Sequence, residues 1–485
     1  MISRRLGFIV YINGLFLIAL SAVMVLPMLV DYGSNNQDAG NFLACIVLVG
    51  GTGGFLVAGF RKTERERIVD RRTGYLLTVS AWLSISFFGS LPLLISSLNL
   101  SFTDAMFETV SGLATAGSTI LTGLDTMPPG LLLWRSLLNW IGGIGIVGMA
   151  LAVLPMLNVG GMQLFRSESS DVSGKPFPRV AEMARAVGSA YVGLTALSAF
   201  SLIAAGMSPF DAVNHAMAAI ATGGFSTKDA SVGFFDSVPI ECILTASMIA
   251  GALPLSFYAN FFVSGHRVLL EDQQISAFLK IWAVAVGAMV VWNVFQGMEP
   301  YHALRVSTFN VTSILTDTGF ASTDFSTWGS FATGFFLMLY FVGGCAGSTS
   351  GGVKVFRWQL LFAGALRHLR QTLSPNRVQV VHYQHQAVEN ETLSAVRTFL
   401  FLYIITYVVL TLLVMATGLD LLSAMSSIAQ AMAGAGPGLG PEVGPATTFA
   451  GVSTTAKWII MSGMLLGRLE LVTVYVVLLP EFWRG

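Results

Sequence analysis

Four short stretches set glycines and hydroxyl side chains inside otherwise apolar surroundings, and their residues could coordinate a cation. They are Thr115-Ala116-Gly117-Ser118, Thr222-Gly223-Gly224-Phe225, Asp317-Thr318-Gly319-Phe320 and Gly434-Ala435-Gly436-Pro437. Glycine reaches positive φ without a Cβ clash, so such a run can turn consecutive carbonyls the same way. A ring of these carbonyls can replace the hydration shell of a monovalent cation. The spacing marks the four as copies of one unit. Thirteen residues separate Asp104 from Gly117, Asp211 from Gly224 and Ser423 from Gly436, while 309–320 aligns with 107–118 without a gap. Close helix packing also uses small residues, but it does not require a fourfold recurrence at a fixed distance from a helix start.

The elements that must position these stretches are membrane spans. Of 485 residues, 54% are hydrophobic and only 11% charged, and the mean hydropathy is +0.71. A soluble core could not bury that much apolar surface, so the fold class expected is an all-α polytopic membrane protein. Apolar runs long enough to cross a bilayer fall at about 6–30, 41–60, 75–97, 133–157, 187–206, 238–264, 276–297, 331–371 with an interruption, 395–418 and 453–479. The first is read as a retained span rather than a signal peptide. One glycine stretch lies between spans three and four, five and six, seven and eight, and nine and ten. Each follows a segment too short to cross, for which Asp104, Asp211 and Ser423 are suitable N-caps. The C-terminal ends of these short helices carry partial negative charge and would aim at a shared axis. Two crossings between consecutive copies give all four one orientation. The plan is two N-terminal helices with a basic loop (1–72), then four helix, pore-loop, helix repeats around one pore at 73–175, 176–272, 273–385 and 386–485.

Charge places the chain in the bilayer. Arg4 and Arg5, the loop from Arg61 through Lys62, Arg65 and Arg67 to Arg71 and Arg72, the segment with Arg166, Lys175, Arg179 and Arg185, and the segment with Arg357, Arg367, Arg370 and Arg377 share one side with Arg484. The positive-inside rule makes that side, and both termini, cytoplasmic. The opposite face carries Asp31, Asp38, Asp125, Asp229, Asp236, Glu241, Glu299, Asp324 and Glu442 against few bases, Lys228 and Lys457 among them. These are either cation-concentrating charges or ordinary solvated loop residues. The zero net charge gives no reason to expect nucleic acid as a partner. Cys45, Cys242 and Cys345 sit in apolar stretches as reduced packing residues. His382 and His385 on a polar loop lack further ligands for a metal and read as solvated. Arg135, Asn139 and the run 142–145 read as helix-packing and outer-mouth residues, because no strand precedes that run as a dinucleotide site requires. An acid–base pair of Glu108 and His215 has no nucleophile spacing to support it, so no enzyme is expected.

The eighth span is broken by Gly343, Gly344, Gly347, Ser348, Thr349, Ser350, Gly351, Gly352 and Lys354. Glycine in a helix costs about 1 kcal/mol relative to alanine, so the segment is expected as a loop lining a cavity below the ring. Val353 stands between the second glycine pair and Lys354, which excludes a phosphate-binding P-loop. Lys354 and Arg468 are intramembrane cations that must face water or a partner, or snorkel to the headgroups. Arg468 is expected to put positive charge in the conduction path and hold the loop closed.

With TGGF, DTGF and GPGLG at the loop ends, the fourfold unit resembles the Trk/Ktr/HKT potassium-translocating family, most closely its bacterial TrkH branch. The resemblance runs from about residue 75 to 480, and the two leading spans also fit. It implies potassium uptake across the bacterial inner membrane, with 115–118, 222–225, 317–320 and 434–437 as the selectivity filter binding potassium and the loop of the eighth span as a gate. It also implies a homodimer, and a separate TrkA-type cytosolic ring that carries the regulatory nucleotide, since no nucleotide-binding fold or other cofactor site is expected in this chain. Gly117 matches relatives that pass potassium. Two positions depart from the pattern: Asp317 stands where threonine is usual and Gly434 where asparagine is common. The Asp317 acid is expected to strengthen cation occupancy of the filter and to loosen its discrimination against sodium.

Overall fold

The computed structural model describes residues 2–61, 70–152, 176–258, 272–376, 379–384 and 386–484. Lys62, Arg65, Arg67, Arg166, Lys175, Arg377 and His385, singled out above, lie outside the described residues.

Two N-terminal helical segments, Ile2–Val23 and Val25–Gly33, run into one another and pair with Asp38–Phe60. The pairing is close because a Cβ on Gly53 would lie 2.8 Å from the Gly14 carbonyl oxygen, a small-residue contact suited to hydrocarbon surroundings. Two buried carboxylates then fasten this pair to the rest. Asp38 accepts from the Ser97 amide (2.9 Å) and hydroxyl (2.6 Å), and Asp31 accepts from the Gly130 amide at 2.7 Å.

After that, one order of elements recurs four times: long helix, short helix, glycine stretch, 3-10 turn, helix. The long helices are Arg71–Gly89 with Leu91–Leu94, Pro176–Ala204, Gln273–Phe295 and Asn390–Met415. The short helices are Phe102–Leu113, Pro209–Ile220, Pro300–Leu315 and Leu421–Ala433. The closing helices begin at Pro129, Val238, Ser330 and Thr454. Side chains such as Phe55, Phe200 and Val284 are exposed on the outside of the bundle, where lipid is the solvent.

Three expectations change. The short helices are capped one turn earlier than Asp104, Asp211 and Ser423. Ser101 and Ser208 are the N-caps, accepting from the Asp104 and Asp211 amides at 3.1 Å, and both hydroxyls also donate to those aspartates at 2.7 and 2.8 Å. That is a Ser-x-x-Asp capping box, with the acid at the third helical position favoured by the helix dipole. Glu299 caps the third short helix and Asp420 the fourth. At Glu299 the amides of His302 and Tyr301 hold the carboxyl below its usual range.

The closing helices of the last three repeats are interrupted, as expected for the third but not for the second and fourth. Val238–Ala252 stops where Pro254 forces Leu253 into an extended conformation. Ser330–Leu339 gives way to the predicted loop and resumes as Val355–Leu373, while Thr454–Arg468 bends by 108° into Leu471–Leu478 across Glu470, which has φ +58°. Among the described residues, seven helices are long and apolar enough to cross a bilayer, eight if the bent pair is one span, and the expected spans at 238–264 and 331–371 fall on the two other broken helices. Third, the polar loop near Pro375 holds a small antiparallel hairpin, His382–Tyr383 with Gln386–Ala387, in which His382 is exposed.

The outer acids are mostly structural. Asp236 and Glu241 pair with Arg305 at 2.7 and 2.8 Å, Asp125 lies 3.6 Å from Lys228, and Asp229 accepts from the Gly123 and Leu124 amides.

Loss of a serine cap costs about 1 kcal/mol. Ser101→Ala and Ser208→Ala are therefore each expected to destabilise the detergent-solubilised protein by about that amount, read as a lower thermal midpoint. Asp211→Asn should have the smaller effect, because the cap acceptor remains.

Candidate cation site

All four short helices end in the same way. The first residue of each glycine stretch has positive φ: Thr115 +50°, Thr222 +49°, Asp317 +56° and Gly434 +83°. The amide that follows it bonds to a carbonyl five residues back, from Ala116 to Ser111, Gly223 to Ala218, Thr318 to Ser313 and Ala435 to Gln430, at 2.8 to 3.1 Å. These are Schellman caps, which satisfy helix-end carbonyls through one left-handed residue. Two residues on, Gly117, Gly224, Gly319 and Gly436 again have positive φ, at +73°, +68°, +95° and +88°. Left-handed residues at alternate positions thus recur in four copies, three of the first positions being filled by side chains that rarely adopt this conformation.

The four second glycines converge. A Cβ on Gly117 would lie 2.9 Å from the Gly223 carbonyl oxygen and 3.0 Å from Gly436 Cα, and one on Gly319 would lie 2.8 Å from Gly436 Cα. A Cβ on Gly224 would collide with the Thr318 carbonyl oxygen. Each copy therefore touches the next and the fourth touches the first: the backbones form a closed ring with no room for a side chain at these positions. On one side the ring opens to a cavity of about 340 Å³ bordered by Gly117, Gly224, Gly319, Gly436, Lys228 and Asp229.

Side chains behind the ring hold it. Phe225 points outward under the Arg135 guanidinium, 4.2 Å from its ring centre, and Arg135 pairs with Glu108 at 2.7 Å, both buried. Glu108 also accepts from the Ile120 amide at 2.9 Å, and Arg135 donates to the Ser226 carbonyl at 2.8 Å, so one ion pair braces two copies. Phe320 stacks on His215, which bonds the Asp211 carbonyl and the Ser226 hydroxyl. The Ser118 hydroxyl shares its proton between Gln430 (2.9 Å) and the Gly436 carbonyl (3.0 Å), and Tyr340 donates to the Pro437 carbonyl at 2.6 Å. Glu108 and His215 are thus committed to separate structural partners rather than to each other.

The loop of residues 343–354 is packed against the helix ends that carry the ring. The Thr349 amide and hydroxyl bond to Gly251 and the hydroxyl also reaches the Ile220 carbonyl, at 2.8 to 3.2 Å; the Gly352 amide bonds to the Ala433 carbonyl at 2.9 Å. These carbonyls belong to the ends of the second and fourth short helices and to a broken closing helix. Gly343 and Gly352 touch at the neck of the loop, where a Cβ on either would lie 2.7 to 3.0 Å from the other's backbone. Gly344, Ser348, Ser350 and Gly351 complete it, with Gly347 accepting from the Leu255 amide. Arg468 donates to the Thr349 carbonyl at 2.9 Å and to the Gly142 carbonyl at 3.3 Å. Lys354 does not snorkel, since its amine bonds to the Ser350 carbonyl.

The Asp317 backbone lies in the ring, and its carboxylate turns toward the loop to accept from the Ser350 hydroxyl at 2.8 Å. Sequence reasoning also missed Gln430, Tyr340 and the Glu108–Arg135 bond, since nothing in the local pattern joins residues brought together only by the ring.

The fold and site define a polytopic membrane transport protein, with four re-entrant stretches meeting at one point. A profile of the TrkH family, described as "Cation transport protein", matches residues 54–483. The potassium uptake protein TrkI of the Trk system of Halomonas elongata is 41% identical, covering 99% of this chain and 98% of the relative. TrkH of Vibrio parahaemolyticus is 37% identical, covering 98% and 99%. The crystal structure of the potassium transporter TrkH from Vibrio parahaemolyticus superposes with a TM-score of 0.92 at 35% identity, covering both chains completely. The chain belongs to the TrkH family of cation transport proteins.

Removing one member of a buried ion pair costs about 3–5 kcal/mol, because the other charge is left alone. Arg135→Met and Glu108→Gln are each expected to lower the thermal midpoint strongly, and the double substitution less than the sum. Additive losses in a thermal-shift cycle would show that the two charges do not act as a pair.

Proposed function

We propose that this chain conducts potassium inward across the bacterial inner membrane, down its electrochemical gradient, through the ring of glycine stretches as selectivity filter. One observation carries the reading most: positive φ at alternate positions in four stretches whose glycines meet backbone to backbone. Such a site offers carbonyl oxygens and no side chain, which suits a dehydrated monovalent cation and little else. The names of the relatives, potassium uptake proteins of Trk systems, agree with it.

The loop of residues 343–354 acts as the gate in this reading. It is held by hydrogen bonds to helix-end carbonyls, and Arg468 fixes it at Thr349 while adding positive charge where a cation would leave the ring. Both termini face the cytoplasm, following the basic loops. A cytosolic nucleotide-binding ring of the TrkA type docks on that face to open the gate, and two copies of the chain assemble as a dimer; these last two points rest on the family resemblance.

The test is rubidium and sodium flux into liposomes containing the purified chain. Selective rubidium uptake is expected, with selectivity reduced in Gly224→Ser and flux raised in Arg468→Ala. Flux insensitive to Gly224→Ser, or dependent on an imposed sodium or proton gradient, would reject the filter reading in favour of a nonselective or coupled pathway.

A further inference from the structure

Asp317 places an acidic side chain in the ring, which the proposed filter and gate do not use. It fills the left-handed position that threonine holds in the first two stretches and glycine in the fourth. Its carboxylate is fully buried. Oδ2 accepts from the Ser350 hydroxyl at 2.8 Å, and the same hydroxyl oxygen accepts from the Gly344 amide at 3.0 Å. One hydroxyl therefore joins the ring to both limbs of the loop. A Cβ on Gly352 would lie 3.3 Å from Oδ2, so the carboxylate stands at the neck where those limbs meet. Oδ1 is buried with no hydrogen-bond partner. Lys354 and Arg468, each bonded to a loop carbonyl, place positive charge beside this acid.

We propose that Asp317 has two roles, latching the loop to the ring while the loop is seated and becoming a monovalent-cation ligand at the inner end of the ring when the loop withdraws. This rests on the reading of ring as filter and loop as gate. Seated, the loop supplies Ser350 to the carboxylate and brings Lys354 close. Withdrawn, it takes both away. A buried carboxylate left without them is strongly unfavourable unless a proton or another cation replaces them, and the ion leaving the ring is the cation at hand. The cation passing through the ring arrives at that place, and the bare Oδ1 is a ligand ready for it. A cation bound there favours the open state, because it binds the carboxylate only after the loop has left.

The experiment uses the full chain in liposomes and follows rubidium flux for wild type, Asp317→Asn, Ser350→Ala and the double variant, with Asp317→Thr as a second removal of the charge. A hydrogen bond to a charged group is worth roughly tenfold in an equilibrium, so each single variant should raise basal flux by about that factor. The double should do no more than the Asp317 variant alone, since the Ser350 contact is already lost with the carboxylate. Ser350→Ala alone should lower the rubidium concentration for half-maximal flux, because it enlarges the open fraction that binds the ion, and loss of the carboxylate in that background should raise it several-fold. Basal flux unchanged in Ser350→Ala and both Asp317 variants, additive effects in the double, or a half-maximal concentration indifferent to Asp317 would each overturn the proposal. If wild type carries selective rubidium flux that Gly224→Ser weakens while these variants behave as wild type, only the latch fails. If wild type shows no such flux, the filter reading fails with it.

Discussion

Everything here depends on one constraint: backbone that leaves the helix within a bilayer must find its hydrogen bonds inside the protein, since each unsatisfied group costs several kcal/mol, roughly. The short helices meet it with Schellman caps that close their own carbonyls while turning the next residues left-handed. The cap and the ring are therefore one feature. The conformation that ends each helix legally in hydrocarbon is the one that begins to aim carbonyls at the axis, and the second glycine of each stretch completes it. The broken closing helices obey the same rule from the other side. Gly251 and Ala252, at the break before Pro254, bond through their free carbonyls to the Thr349 and Cys345 amides of the loop, so one irregular segment satisfies another.

Charge is arranged in two tiers about this ring. On the side of the open cavity, Glu108 and Arg135 neutralise each other and fix two of the four stretches. On the other side, Arg357 pairs with Glu470 at the bend of the last helix, and the Arg357 guanidinium lies 3.8 Å from the centre of the Phe399 ring. Arg468 and Lys354 spend their donors on loop carbonyls, and Asp317 faces them. The first tier is closed and serves rigidity. The second contains contacts that a displaced loop would break, which is what a switchable barrier requires.

Much of this was legible in the sequence, and the parts that were not share a cause. The fourfold spacing, the common orientation of the copies and the break at residues 343–354 all follow from local pattern and bilayer geometry. So did the position of Arg468 near the loop. The sequence pattern Ser101-x-x-Asp104 and Ser208-x-x-Asp211 carries the capping signature, with the acids at the third helical position rather than at the cap. Glu470 at the last bend carries no compositional sign, because its partner Arg357 is 113 residues away in the chain. The contact of Asp317 with Ser350 carries no local sign for a similar reason. A left-handed φ swings the side chain away from where a regular turn would put it, and the pattern of residue types does not reveal that angle.

The most direct measurement is the anomalous diffraction of rubidium in crystals of this chain grown or soaked in a rubidium salt. Density is expected on the axis enclosed by the backbones of residues 115–117, 222–224, 317–319 and 434–436, and it should weaken in Gly224→Ser. Rubidium bound elsewhere, or a ring that stays empty while the crystal is saturated with the ion, would contradict the assignment of these four stretches as the cation pathway.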